Sequence, residues 1–174
     1  ILRAGDSTAV LEAAAETFVS LEDEDADYFI NMLAGAPETS ARAQLRGRWH
    51  LNNNRLDEAK TAFMTALRLD AKSLDAPTGL SLVARRQGQY DTAELLCRQI
   101  LGRDPQYVPA LECMMRINRA RENWELAAQW QASLLKIKPD SAPDEYARLG
   151  EVLFQSGKLD LAERAFFVAL EKEP

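Results

Sequence analysis

The sequence is poor in the residues that do chemistry. His50 is its one histidine, and Cys97 and Cys113 are its two cysteines. None of them falls at a metal-ligand spacing, and a lone imidazole has no obvious partner for a proton-transfer dyad. Neither a Gly-rich phosphate loop nor a Gly-x-Ser-x-Gly elbow is present. The expectation is a chain without a cofactor, a metal or catalysis of its own. No apolar run approaches the roughly 20 residues that span a bilayer, and no signal peptide is visible. The chain starts at Ile1 rather than Met and stops at Pro174, which reads as a fragment of a longer protein or a processed chain. The cysteines do not form a disulfide framework; both fall on helical positions where Cys behaves as a small hydrophobe. Structural thiols favour a reducing compartment such as the cytoplasm, with the periplasm left open.

What is present is ordinary for a helical protein: 47% apolar and 28% charged residues, with a net charge of −6. The charge is uneven. Residues 1–39 hold nine acids and one base, so the remainder carries a net +2. The negative balance belongs to the N-terminal segment.

The strongest signal is a repeat of 34 or 35 residues. Ala59, Ala93, Ala127 and Ala162 keep this step, and each follows a bulky apolar residue by three: Leu56, Tyr90, Trp124 and Leu159. An acid follows each bulky residue, at Asp57, Asp91, Glu125 and Asp160. Pro105, Pro139 and Pro174 share the period. A fixed period of this size means stacked supersecondary units, which offer extended binding surfaces more often than catalytic pockets.

The last unit reads Tyr146-x-x-Leu149-Gly150, then Gly157-Lys158-Leu159-Asp160-x-Ala162-x-x-x-Phe166-x-x-Ala169-Leu170, then Pro174. This resembles the tetratricopeptide repeat, a helix–turn–helix unit of 34 residues. The earlier units keep the Ala position but vary the Phe: Phe63 is retained, whereas Cys97 and Gln131 replace it. The resemblance implies an all-α, right-handed superhelical solenoid of antiparallel helix pairs. Four repeats are expected at 40–73, 74–107, 108–142 and 143–174, with 1–39 a diverged N-terminal helix pair or a helical cap. In that segment a helix over 7–20, capped by Asp6 or Ser7, carries Val10, Leu11, Ala14, Phe18 and Val19 on one stripe. Small residues at the Ala positions let helices approach, Phe63 and Phe166 fill the space between pairs, and Gly88 and Gly157 suit the turns. Trp124 reads as core, Trp49 as a packing residue, and Trp130 as partly exposed.

The resemblance also implies a concave groove lined by the first helix of each pair. The residues expected there are Arg48, Leu51, Asn52, Leu82, Arg85, Arg86, Arg116, Arg119 and Phe154. Five guanidinium groups suit carboxylates through paired hydrogen bonds, so the expected partner is a protein or peptide, acidic in character. The competing reading is a solvated face, partly self-neutralised by pairs such as Glu112 and Arg116. Gln44 with Arg48, Gly79, and Pro109 with Cys113 do not match the family's Lys/Asn carboxylate clamp, so chaperone tails are not expected ligands. The irregular columns and net negative charge argue against a nucleic-acid reader. Two further readings stand: a substrate-selecting or regulatory module of a larger enzyme or envelope or secretion assembly, and a self-association module using Phe167 and Leu170 on an uncapped last pair, which would make a homodimer.

Overall fold

The computed structural model describes residues 4–23, 25–138 and 140–172, and the side chains among these from residue 8 onward. Asp6 and Ser7 side chains, Pro139 and Pro174 therefore lie outside the described residues. All regular structure among the described residues is helical. Ten α-helices run in order: α1 (Ala4–Ser20), α2 (Ala26–Met32), α3 (Ser40–Asn52), α4 (Leu56–Leu69), α5 (Asp75–Arg86), α6 (Tyr90–Arg103), α7 (Val108–Ala120), α8 (Trp124–Ile137), α9 (Pro143–Gln155) and α10 (Leu159–Lys172). A short 3₁₀ turn, Leu33–Gly35, follows α2. The chain divides into two compact units, 1–88 and 89–174.

Local chemistry explains where the helices start and stop. The Thr39 hydroxyl caps α3 by accepting from the Arg42 amide at 3.2 Å. Pro109 and Pro143 stand in the first turns of α7 and α9, where a missing N–H costs nothing. The second helices open on acids, Asp57, Asp91, Glu125 and Asp160, which the positive end of the helix dipole favours. Each three-residue turn that precedes them contains one left-handed residue: Asn54 (φ 56°), Gly88 (φ 74°), Glu122 (φ 59°) and Gly157 (φ 78°). The two glycines were legible as turn residues. Asn54 and Glu122 adopt the same conformation at the same phase, Asn at modest cost and Glu at a larger one. Glu22 (φ 56°) does the same between α1 and α2.

In the first unit, α1 packs on α2 and α3, and α3 packs on α4 and α5. Ala15, Val19, Ala26, Ile30, Leu45 and Trp49 form one core cluster, with Phe18 and Phe29 stacked beside it at a centroid distance of 4.8 Å. The α1 reading needs two corrections. The helix begins at Ala4 rather than residue 7, so Asp6 and Ser7 sit inside it and not at its cap. Val10 is exposed, and Ala15 takes the inward place, because α1 turns its Ala15–Val19 side to α2 and α3. Leu51, Ala59, Phe63 and Val83 make a second cluster.

In the second unit each helix from α6 to α10 packs on the next. Ala127, Val152, Leu153, Ala162 and Ala165 form its main cluster, with Trp124 and Leu149 packed against it. The repeated alanines are buried in both units: Ala59, Ala93 and Ala127 at 0% exposure and Ala162 at 2%. Where Gln131 stands in place of the family's Phe, its side-chain amide donates to the Glu145 carbonyl (3.0 Å) and carboxylate (2.8 Å), so a polar pin between α8 and α9 replaces ring packing. Cys97 and Cys113 are fully buried thiols.

Candidate functional site

The residues expected in the groove divide between the units, with Arg48, Leu51, Asn52, Leu82, Arg85 and Arg86 in the first and Arg116, Arg119 and Phe154 in the second. Their surroundings differ. Arg48 is exposed but engaged, its Nη2 lying 3.1 Å from Glu16 Oε1 of α1. Arg42, one and a half turns earlier, donates to Glu12. The acids of α1 thus neutralise part of the α3 arginine row. Arg86 donates to the Leu51 carbonyl, and Asn52 donates to the Val19 carbonyl at 2.8 Å. Arg85 and Leu82 are half-buried.

Leu51 does not line a surface. It is 5% exposed within the cluster around Phe63. The first helix of a pair faces both its own partner and the next pair, and Leu51 falls on that second inward face.

The second unit keeps more of its groove chemistry available. Arg116 is exposed and loosely paired with Glu112 at 3.8 Å. Among the described residues no hydrogen bond or ion pair holds the Arg119 guanidinium. Arg119 borders a cleft of about 240 Å³ together with Trp124, Glu151, Val152, Phe154, Gln155 and Phe166. Phe154 is 57% exposed at this cleft. A cation without a partner beside an exposed aromatic ring is a recognition pair for an apolar side chain with a neighbouring carboxylate.

A feature the sequence reading did not assemble links successive pairs. Three of the acids that open second helices, Asp57, Asp91 and Glu125, are met by a side chain from the next inter-helix turn. Gln87 Nε2 lies 3.5 Å from Asp57. Arg121 reaches Asp91 and Glu94, each at 2.5 Å, with its guanidinium over the Tyr90 ring. Lys158 reaches Glu125 at 2.6 Å. The acids were visible in the sequence as a periodic column. Their partners were not, because they differ in residue type, Gln, Arg and Lys, and Lys158 stands at a different offset from its acid than the other two.

Three titratable groups carry environmental shifts, one of them Glu125, whose carboxyl is lowered by its hydrogen bond from Lys158. Hydrogen bonding from Arg98, then from Arg121, holds the Glu94 carboxyl below the usual carboxylate range. Burial lowers the His50 imidazole, and its Nδ1 is buried without a hydrogen-bond partner. The described residues contain no group of three or more His, Cys, Asp or Glu that could hold a metal. None of the described helices is long and apolar enough to cross a membrane.

Helix pairs with a small residue buried at a fixed period, three-residue turns with a recurrent left-handed position, and side chains laddered from one pair to the next define an α-helical repeat protein of the solenoid class. Residues 45–108, about a third of the chain, match the family model of the tetratricopeptide repeat. The chain is 24% identical over 160 residues, 85% of its length, to cellulose synthase 1 operon protein C of Komagataeibacter xylinus. It is 41% identical over 71 residues, 41% of its length, to cellulose synthase operon protein C of the same organism. The matched regions cover 12% and 6% of those two relatives, so the chain spans only a small part of their length. In fold it resembles TTC0263, a thermophilic tetratricopeptide-repeat protein of Thermus thermophilus, with a TM-score of 0.77 at 17% identity over 96% of this chain and 92% of that one.

Proposed function

We propose that the chain is a protein-binding scaffold whose recognition surface lies on the first helices of its pairs, and that it forms part of a longer polypeptide serving a polysaccharide-synthesis assembly. The second half rests on the similarity to cellulose synthase operon proteins. The first half rests on one observation above the others: Arg119 stands without a partner beside the exposed ring of Phe154. The ligand this suits is an extended segment with an apolar side chain for the cleft and an Asp or Glu next to it. In the first unit, Arg48 and Arg86 are already engaged by Glu16 and by the Leu51 carbonyl, so the stronger site is in the second.

A panel of short peptides tests this, each with a Phe or Leu flanked by Asp/Glu, by Lys, or by Ser, titrated against the chain by fluorescence anisotropy. The acidic set should bind best, weaken with added salt, and lose binding with Arg119→Glu while Arg48→Glu changes little. Equal binding of all three sets, or no effect of Arg119→Glu, would sink the proposal.

A further inference from the structure

Phe63 of α4 is 2% exposed, and its ring lies between Gly47 of α3 and Gly79 of α5. A Cβ at Gly79 would come 2.3 Å from that ring. Nearly one turn along, Ala66 of α4 and Ala76 of α5 share a buried cluster. These contacts define the antiparallel register of α4 and α5, and the turn between the two helices holds it. Asp70 leaves α4 at φ −142° and ψ 92°, and its carboxylate accepts from the Lys72 amide at 3.0 Å.

The same turn recurs between α6 and α7. Asp104 leaves α6 at φ −139° and ψ 99°, and its carboxylate accepts from the Gln106 amide at 3.0 Å. α6 covers the repeat positions of α4, 34 residues on, and packs on α7. Ile100 and Ala110, at the places of Ala66 and Ala76, are both buried. In this register the places of Phe63 and Gly79 belong to Cys97 and Cys113. Both are 0% exposed, and both are free thiols. The two departures from the repeat pattern complement each other. Loss of the ring makes the room that a side chain on α7 needs, and that side chain is a second thiol. A disulfide requires Cβ atoms about 3.5–4.5 Å apart. Opposed small side chains in van der Waals contact meet that requirement.

We propose that Cys97 and Cys113 form a redox site, a thiol pair that hydrogen peroxide closes to a disulfide in the folded chain, tying α6 to α7. In the first step one sulfur gives two electrons to the peroxide and the O–O bond breaks. One oxygen stays on sulfur as a sulfenic acid and the other leaves as water. In the second step the other thiol attacks that sulfur. The S–S bond forms, the S–O bond breaks, and the hydroxyl leaves with the thiol proton as a second water. Full burial excludes larger oxidants, whereas a water-sized peroxide enters through the local openings that amide exchange records. The disulfide joins one helix pair to the next inside the second unit, so it suppresses those openings. The site uses none of the residues of the peptide surface and does not rest on that reading.

The test treats the reduced, folded full chain with hydrogen peroxide, removes the excess with catalase, blocks remaining thiols in acid and digests with trypsin. Arg98 and Arg103 stand between the two cysteines, so trypsin places them on separate peptides. The expected product joins 87–98 to 104–116, is two hydrogens lighter than its parts, and is split by a phosphine reductant. Amide exchange across α6 and α7 should slow about tenfold or more in the oxidised chain and recover on reduction. Exchange in α3 and α4 should not change. Cys113→Ala, with its fold checked by circular dichroism, should give no joined peptide and no slowing, which separates the disulfide from oxidation of the neighbouring Met114 and Met115. A joined peptide found only between two chains, sulfinic acid in place of the disulfide, or no joined peptide at all would overturn the proposal. So would a joined peptide with unchanged exchange, since the link would then tie nothing that opens.

Discussion

Phe63 and Phe166 occupy the same position in the repeat and have opposite fates. One is sealed between two glycines; the other leans on one glycine and faces open space. The contrast teaches that a repeat residue has no burial of its own. Its surroundings come half from its own pair and half from the next, as expected where stability is a sum of repeat and interface terms.

The largest effect should come from deleting the sealed ring. Phe63→Ala removes a fully buried side chain and leaves a cavity, and should cost about 3–5 kcal/mol in urea unfolding followed by a first-unit probe such as Trp49 fluorescence. Phe166→Ala should cost no more than about 2 kcal/mol, because much of that ring is already wet. Equal costs would mean that Phe166 is covered in solution. Next comes the glycine seat. Gly79→Ala pushes a methyl into a ring that cannot move, and should lose about 1–2 kcal/mol despite the better helix propensity of Ala. In a Phe63→Ala background the same change should become neutral or favourable. Gly150→Ala should be tolerated from the start, since Phe166 can swing outward.

A smaller effect with the opposite sign belongs to the turns. Glu122 is left-handed where Gly88 and Gly157 serve the other turns, so Glu122→Gly should stabilise the second unit by up to about 1 kcal/mol in thermal unfolding. Protonation should separate the units by the smallest margin. His50, in the first unit, has its folded pKa pushed down. The unfolded chain therefore takes up the proton first, and stability falls as the pH drops below the ordinary imidazole value of 6.5. Glu94, in the second unit, also has its folded pKa depressed. Its contribution is present above the ordinary carboxyl value of 4.5 and is lost as the pH falls through the folded value. His50→Gln should flatten the upper window alone, and Glu94→Gln the lower one alone, in unfolding midpoints measured across pH.

The period, the alanine column and the turn glycines were legible because each records a constraint that recurs with every pair: close helix approach, or a backbone turn. The groove was legible only as a list of directions. Leu51 shares a helical stripe with surface residues, yet α3 meets α5 as well as α4, and that second contact buries it. Arg48 reads as an available cation until α1 sets Glu16 beside it. Arg119 and Phe154 are 35 residues apart, and only the packing of α7 and α9 on α8 puts them on one cleft.

The sequence by itself determined the repeat, two of its turn glycines, and the identity of the small residues that let helices touch. These follow from local backbone preferences and from a periodicity that any stacked helix pair must satisfy. Tertiary structure decided which charges remain available, which apolar residues face water, and that Asp160 and Phe166 stand uncovered. Those properties depend on neighbours distant in the chain, because both desolvation and ion pairing are set by what lies within a few ångströms in space.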